Sequence, residues 1–427
     1  MLGLPGFVLL GVSDVDGELE QTVEMTADVV GCTGCGTVAR LHDRRLVRVR
    51  DLPAGGRPVV LAWRKRVWRC IEPACPVSTW SEQCEQIRPR AVLTERARRQ
   101  ACHRVGRQGH TVAQVADELG VGWSTVMAAV REYGEPLVDD PVRLIDVNTI
   151  GVDETAFQAA SARRSTTFAT GIVDLSGDRA RLLDVVPGRS AKALSCWISQ
   201  QTPNFRSGIA VAVLDPYRGY GTALRASLPA AVRVLDAFHL VRLGFAAVDD
   251  VRRRVQHEQL GHRGRRGEPL YGIRRLLRRR ADHLSDHAWD RLLAGLTVGD
   301  RGEQVGKAWI AAQDLRLLLH RSADRRHASQ RLHRWLTFCA DSNVPELHRL
   351  ARTVDSWREE LLAYFDTGGA SNGPTEAVNL LIKKIKRSGH GFRNFDNYRL
   401  RLLLNCGVEW NTAPTARIRG RLPRLAA

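Results

Sequence analysis

Val147-Asn-Thr-Ile-Gly-Val-Asp-Glu-Thr-Ala-Phe157 reads as a β-strand that carries a carboxylate, Asp153, among β-branched and small apolar residues. A carboxylate in such a run costs free energy unless something positive meets it. Thr166 to Val173 and Arg181 to Val186 read as two further strands, joined through the turn Leu175-Ser-Gly-Asp178. Ser190 to Gln201 reads as a helix, Gly208 to Leu214 as an apolar strand, and Thr222 to Ser227 as a short helix. Ala231 to Leu235 is a fifth strand. Three hairpin-linked strands followed by alternating helix and strand predict an α/β layer whose sheet is protected by helices.

Working outward, residues 1–90 read as short strands and turns, with Arg45 to Arg50 and Val59 to Trp68 the clearest strands. From Leu93 to about Tyr133 the pattern is helical, and a polar stretch with Pro136 and Pro141 marks a linker. Beyond the fifth strand, Leu240 to Tyr364 is rich in Arg and Leu and predicts helices, including Ile273 to Leu284, Gln304 to Leu319 and Ser329 to Phe338. Ser371-Asn-Gly-Pro374 breaks that layer and starts a helix bearing Glu376. These changes divide the chain at 1–90, 91–135, 142–240, 241–365 and 366–412, with an arginine-bearing tail over 413–427.

A chain of 427 residues is too long for one ordinary core, and 44% apolar content excludes wholesale disorder. Its 64 basic and 46 acidic residues leave a charge of +18, which suits a phosphate polyanion as partner. Met1 to Val12 lacks a basic leader and a small-residue cleavage site, and no apolar run approaches membrane-spanning length. A reducing cytoplasm is therefore expected, with no membrane partner. There, paired cysteines point to metal rather than to disulfides.

Cys32-Thr-Gly-Cys35 and the pair Cys70 and Cys75 lie 34 residues apart, among turn residues. Four thiolates suit tetrahedral zinc, although four residues within the second pair is a wide spacing and Cys84 is an alternative ligand. Thr111 to Gly120, followed by Val121 to Met127, has the pattern of a helix-turn-helix, with Gly120 at the left-handed turn and Ser124 or Thr125 opening the second helix. That helix would present Trp123, Ser124, Thr125 and Arg131 to a DNA groove.

Asp215 closes the fourth strand. If strands one and four are neighbours, as in a ribonuclease-H-like sheet, Asp153 and Asp215 converge on one cation. Hard Mg²⁺ binds through one or two carboxylates and keeps positions open for phosphate. Glu376 would complete a two-metal site, with Asn379 and Lys383 on its helical face. Glu154 points to the opposite side of its strand, and Asp236, ending the fifth, competes with Asp215.

Taken together these stretches resemble the bacterial insertion-sequence transposases of the ISL-three family, over nearly the whole chain. The resemblance rests on the paired cysteines, Arg50-Asp-Leu-Pro53, the helix-turn-helix, Gly151-Val-Asp-Glu154 and Leu214-Asp-Pro-Tyr217. Its most specific part is Ser371-Asn-Gly-Pro-Thr-Glu-Ala-Val-Asn379, continuing through Lys383-Lys-Ile-Lys-Arg387 to Gly391-Phe-Arg-Asn394. It implies a multidomain α/β protein: a zinc ribbon, a helix-turn-helix, and a ribonuclease-H-like mixed-sheet core interrupted by an all-helical insertion.

The resemblance also implies Asp153, Asp215 and Glu376 as catalytic acids holding two Mg²⁺ (or Mn²⁺) per site, in addition to structural Zn²⁺. Asp236-Ala-Phe-His239 resembles a signature that handles DNA near the cut. Asn379, Lys383, Lys384, Lys386, Arg387 and Arg393 would contact DNA. The expected activity is end cleavage and strand transfer of an insertion sequence. The partners would be terminal inverted repeats and target DNA, held by a homo-oligomer associated with the bacterial nucleoid. Two alternatives are a DNA-binding regulator with an inactive core and a nuclease without strand transfer.

Overall fold

The computed structural model describes residues 3–410 except 28, 163 and 164; the tail expected over 413–427 lies outside them. The chain divides into two compact units, residues 1–143 with 385–427, and residues 144–384.

The first unit opens with strands β1 (Phe7–Val15), β2 (Glu18–Met25), β3 (Arg40–Ala54), β4 (Arg57–Arg69) and the short β5 (Thr79–Ser81). They form one sheet in the order β1-β2-β4-β3, with β5 on β4. Asp16-Gly17 and Gly55-Gly56 both turn with positive φ, the conformation that two-residue hairpins require. The sheet closes over Val23, Val49, Leu61 and Trp63. β3 is much longer than the strand expected over Arg45 to Arg50, whereas β4 closely matches the one expected over Val59 to Trp68. The apolar run at Phe7 to Leu10 belongs to β1, which the sequence reading had not identified as a strand.

Helices α1 (Glu95–Gly106), α2 (Val112–Leu119) and α3 (Trp123–Val138) follow. Thr111 and Gln114 form a reciprocal capping box on α2, and Gly120 ends it at φ 62°. The second helix thus begins at Trp123 rather than at Ser124 or Thr125. It runs through Pro136, which the sequence marked as linker. Pro136 is exposed, so the carbonyl that loses its helical partner there is open to water.

The second unit holds β6 (Thr149–Gln158), β7 (Thr167–Asp174), β8 (Arg181–Pro187), α4 (Ala191–Ser199), α5 (Pro203–Gly208), β9 (Val211–Leu214), α6 (Arg218–Ser227) and β10 (Val232–Leu235). Their order is β10-β9-β6-β7-β8, antiparallel across β6, β7 and β8 and parallel across β6, β9 and β10. This is the ribonuclease-H-like arrangement, and it makes the first and fourth strands neighbours. Ile150, Ile172, Leu194, Ile198 and Tyr220 are fully buried between sheet and helices, each burial stabilising by roughly 1.5–3 kcal/mol.

From Ala237 to Asp366 the chain is helical: α7 (Ala237–Leu260), α8 (Pro269–Ile273), α9 (Asp286–Gly299), α10 (Gln304–Arg321), α11 (Arg325–Asp341), α12 (Pro345–Asp355) and α13 (Arg358–Asp366). The helix expected over Ile273 to Leu284 is absent. α8 ends at Ile273 and a run of turns follows; the Gln313 side chain donates to the Arg279 carbonyl and accepts from the Ala281 N–H, backbone groups that a continuing helix would pair for itself. Helix α14 (Gly373–Ser388) then carries Glu376, and α15 (Phe395–Cys406) completes the first unit. Among the described residues, no helix is long and apolar enough to cross a membrane.

Candidate active site

Parallel pairing sets the site. On β6 and β9, Val152 pairs with Leu214; on β10 and β9, Leu235 pairs with Leu214. The next rung therefore brings Asp153, in the middle of β6, level with Asp215 and Asp236 at the carboxyl ends of β9 and β10, where α/β sheets present their ligand sites. Glu376 joins them from the first turn of α14, and a cavity of about 270 Å³ is lined by Asp153, Asp215, His239, Arg242, Glu376, Asn379 and Lys383.

Glu376 is placed by the segment just before it. Buried Asn372 donates its backbone N–H to Asp236 Oδ1 at 2.9 Å, and its side-chain amide to the Val152 carbonyl at 3.2 Å and to Asp215 Oδ1 at 3.3 Å. Its own Oδ1 accepts from the Thr375 hydroxyl at 2.9 Å. Gly151 makes this approach possible, since a Cβ there would meet Asn372 Oδ1 at 2.6 Å. One turn beyond Glu376, the Asn379 amide donates to Asp153 Oδ2.

The carboxylates sit in different surroundings. Burial, and then the neighbouring Asp215 charge, push the Asp153 carboxyl up to about 7. The His239 ring lies between two acids, Nδ1 at 3.0 Å from Asp215 Oδ1 and 2.8 Å from Asp236 Oδ2. Burial alone would lower its pKa, but the hydrogen bonds to Asp215 and Asp236 raise it to about 10. Asp236 is only 1% exposed and caps α7 through the His239 N–H. Burial raises its carboxyl, yet His239 and the Asn372 N–H bring the net shift downward. It lies beneath the cavity rather than in its wall. The oxygen donors of the wall suit a hard cation such as Mg²⁺: two crowded strand-borne aspartates and a helix-borne glutamate. Glu154, expected to point away, ion-pairs with Arg189 at 2.7 Å and reaches the cavity rim. The sequence reading missed Asn372 and Arg242. Asn372 directly precedes the Gly-Pro helix start, and Arg242 falls one turn after His239 on α7; these were the available signals.

In the other unit, Cys32, Cys35, Cys70 and Cys75 gather with their sulfurs within 4.8 Å of one another. The Cys32–Cys75 and Cys35–Cys70 distances are 3.7 and 3.5 Å. Tetrahedral zinc with bonds of about 2.3 Å needs sulfurs roughly 3.8 Å apart, so the thiols fit zinc. The N–H groups of Gly34 and Glu72 each donate to the sulfur two residues earlier, at 3.4 Å. Cys84 lies outside the cluster. On α3, Trp123, Ser124 and Arg131 are exposed and Thr125 half-buried; Arg131 donates to Asn397 Oδ1 at 2.8 Å. Lys383, Lys384, Arg387 and Arg393 are exposed, and Lys386 is half-buried.

Three family profiles match consecutive stretches. A zinc finger of the IS204/IS1001/IS1096/IS1165 transposases covers residues 28–75, the helix-turn-helix domain of transposase family ISL3 covers 82–134, and the ISL3 transposase domain covers 150–402. The transposase for insertion sequence element IS1001 of Bordetella parapertussis is 26% identical over 389 residues, spanning 88% of this chain and 89% of the relative. The transposase for IS1557 of Mycobacterium tuberculosis is 23% identical, over 85% and 82% respectively. A chain of the Drosophila P element transposase strand transfer complex aligns with TM-score 0.40 and 10% identity, covering 74% of this chain and 92% of that one. With its transposase domain matched over more than half its length, and with its zinc ribbon and helix-turn-helix in place, the chain belongs to the ISL3 family of insertion-sequence transposases.

Proposed function

We propose that this transposase cleaves the DNA at the ends of its element and joins the freed 3′-OH to target DNA in one site, with Asp153, Asp215 and Glu376 as the catalytic acids. The observation that carries the reading is their convergence on one cavity from two adjacent strands and a helix, together with Lys383. The three would hold two Mg²⁺ or Mn²⁺, which supply an activated water and stabilise charge on the phosphate oxygens in transit. His239 holds Asp215 in orientation through Nδ1, and Asp236 holds His239 from below. Asn379 does the same for Asp153. Asp236 and His239 thus bear on the DNA through Asp215, and His239 also lines the acid cavity.

Lys383, Lys384, Lys386, Arg387 and Arg393 would neutralise phosphates, whereas Trp123, Ser124, Thr125 and Arg131 would read the terminal inverted repeat. The four cysteines would hold structural Zn²⁺. Two ends must be held together, so the active form is an oligomer of this chain on DNA, working where bacterial chromosomal DNA lies. A DNA-binding regulator with an inert core would not need three acids gathered on one cavity.

The test is cleavage of the element's own end with Mg²⁺. Asp153→Asn, Asp215→Asn and Glu376→Gln are close to isosteric and should retain folding and end binding. Each should lose cleavage by about a thousandfold or more, from the several kcal/mol that metal coordination contributes. A triple variant that cut like the parent protein would leave the regulator as the remaining reading.

A further inference from the structure

Beside the acid cavity, in the same unit, lies a larger one of about 780 Å³, within the range of roughly 300–1,000 Å³ of sites that enclose a small group. Phe238, Val241, Phe245 and Tyr364 give it an apolar wall, and Arg242, Arg253, Arg278 and Arg280 stand around it. Phe238 is 56% exposed, although a phenyl ring gains most by burial. It directly precedes His239, the residue that touches Asp215. Arg242 is exposed and lines both cavities. Asp249 also borders this one, but its carboxylate is taken by Arg252, Arg253 and Arg278. Asp250 adds one exposed acid and Asp236, paired with His239, a buried one, and the cations remain in excess.

An aromatic face bordered by guanidinium groups suits a nucleotide, with the base on the ring and the phosphate on arginine. A base inside a duplex is shielded by its neighbours and must leave the stack to reach such a face, at a cost of a few kcal/mol. We propose that this cavity receives one unstacked nucleotide of the DNA strand adjoining the phosphate at the acid cavity. Phe238 stacks on its base, and Arg242 holds the phosphate between the two sites. The captured base fixes the strand so that the scissile phosphate stays over Asp153 and Asp215. This inference rests on the catalytic assignment above, because it takes its register from that phosphate.

The test uses duplexes of the element's end with Mg²⁺, either fully paired or with a single mismatch placed in turn at each base flanking the cleaved phosphate. Stacking of one base is worth about 1–3 kcal/mol, so Phe238→Ala should cut the paired end roughly 5- to 150-fold more slowly. A mismatch at one position should restore most of that rate, since the base is already unpaired. Phe238→Trp should keep the rate on the paired end, and melting temperatures should stay unchanged because the ring is mostly exposed. The subsite is refuted if Phe238→Ala cuts the paired end at the parental rate, or if its defect is equal on paired and mismatched ends at every position. Asp153→Asn separates the two claims. If it is inactive on every duplex while Phe238→Ala is unimpaired, only the nucleotide subsite falls. If it still cuts, the catalytic assignment falls and takes the subsite with it.

Discussion

The side-chain amide of Asn372 donates to Asp215 Oδ1 at 3.3 Å across 157 positions of chain. Through that amide and its backbone N–H, Asn372 also binds Val152 and Asp236, so a single buried residue ties the middle of β6 and the ends of β9 and β10 to the segment that launches α14. Glu376, one helical turn further on, then lines the same cavity as the two strand-borne acids.

Asn372→Ala should leave the Val152 carbonyl without this partner and loosen α14 at its start. A buried acceptor left unpaired costs about 1–3 kcal/mol. Cleavage should fall roughly a hundredfold, as for misplacement of about 1 Å, while DNA binding persists. Gly151→Ala, which forces a Cβ against Asn372 and Thr375, should have the same phenotype. Cleavage kinetics beside a binding assay check both.

Asp236→Asn should act on stability before chemistry. The substitution removes the charge that pairs with His239 in a nearly dry setting, a loss of about 1–3 kcal/mol visible as a lower melting temperature. Its cleavage defect should be smaller than that of Asp215→Asn. Calorimetric titration with Mg²⁺ decides the matter: if Asp236→Asn loses the metal while Asp215→Asn binds it, Asp236 is the second acid.

Purified protein should carry one zinc per chain by elemental mass spectrometry. Cys32→Ser or Cys70→Ser should release it and expose the amino-terminal module to protease, because structural zinc supplies folding free energy to a small ribbon. Cys84→Ser should retain the full complement, since Cys84 stands outside the cluster. Zinc retained by Cys32→Ser and lost by Cys84→Ser would overturn that ligand set.

Lys383→Ala and Arg387→Ala should each reduce the slope of log affinity against log salt by about 1, on any DNA sequence. Trp123→Ala should instead cost binding only to the element's own end, by roughly 1–3 kcal/mol if the ring reads a base. Point variants suit this test better than deletion of the front domains, because α15 packs its buried Leu402 to Leu404 within the same unit as α1 and α3.

Glu346 illustrates the pH dependence of the helical layer. Burial pushes its carboxyl up, but paired hydrogen bonds from Arg254 at 2.8 and 3.0 Å bring the net shift below the ordinary value. A folded-state pKa below the unfolded one stabilises above the unfolded value, about 4.3, and that contribution is lost as pH falls through the folded value. Glu346→Gln should therefore melt lower than the parent at neutral pH, by about 1–2 kcal/mol given the partial exposure of Arg254. The gap should narrow below about pH 4. A gap independent of pH would show that packing, not charge, carries the pair.

Local patterns in the sequence were sufficient for the five-strand α/β layer, the helix-turn-helix and the cysteine pairs, because strand period, turn glycines and thiol spacing are written within a few residues of one another. One local signal went unread: Asp16-Gly17 marks the first hairpin. The break after Ile273 is not local, since the Gln313 side chain further along the chain binds the Arg279 carbonyl and the Ala281 N–H. What lay beyond local pattern was decided by long-range pairing. Strand pattern showed Asp215 and Asp236 both ending apolar strands, and only the resemblance through Leu214-Asp-Pro-Tyr217 ranked Asp215 first. The register of β9 between β6 and β10 leaves Asp215 in the cavity wall, whereas capping of α7 buries Asp236 beneath it. Cys75 rather than Cys84 joins the other three thiols because the loop after β4 folds back over the turn at Gly34, where a Cβ would meet the Cys75 sulfur at 3.3 Å. Asn372 and Phe238 fall inside stretches that the sequence singled out, yet their contacts were not legible there. Asn372 binds partners 136, 157 and 220 residues away, and Phe238 shares its cavity with Tyr364, so no short window along the chain contains both partners.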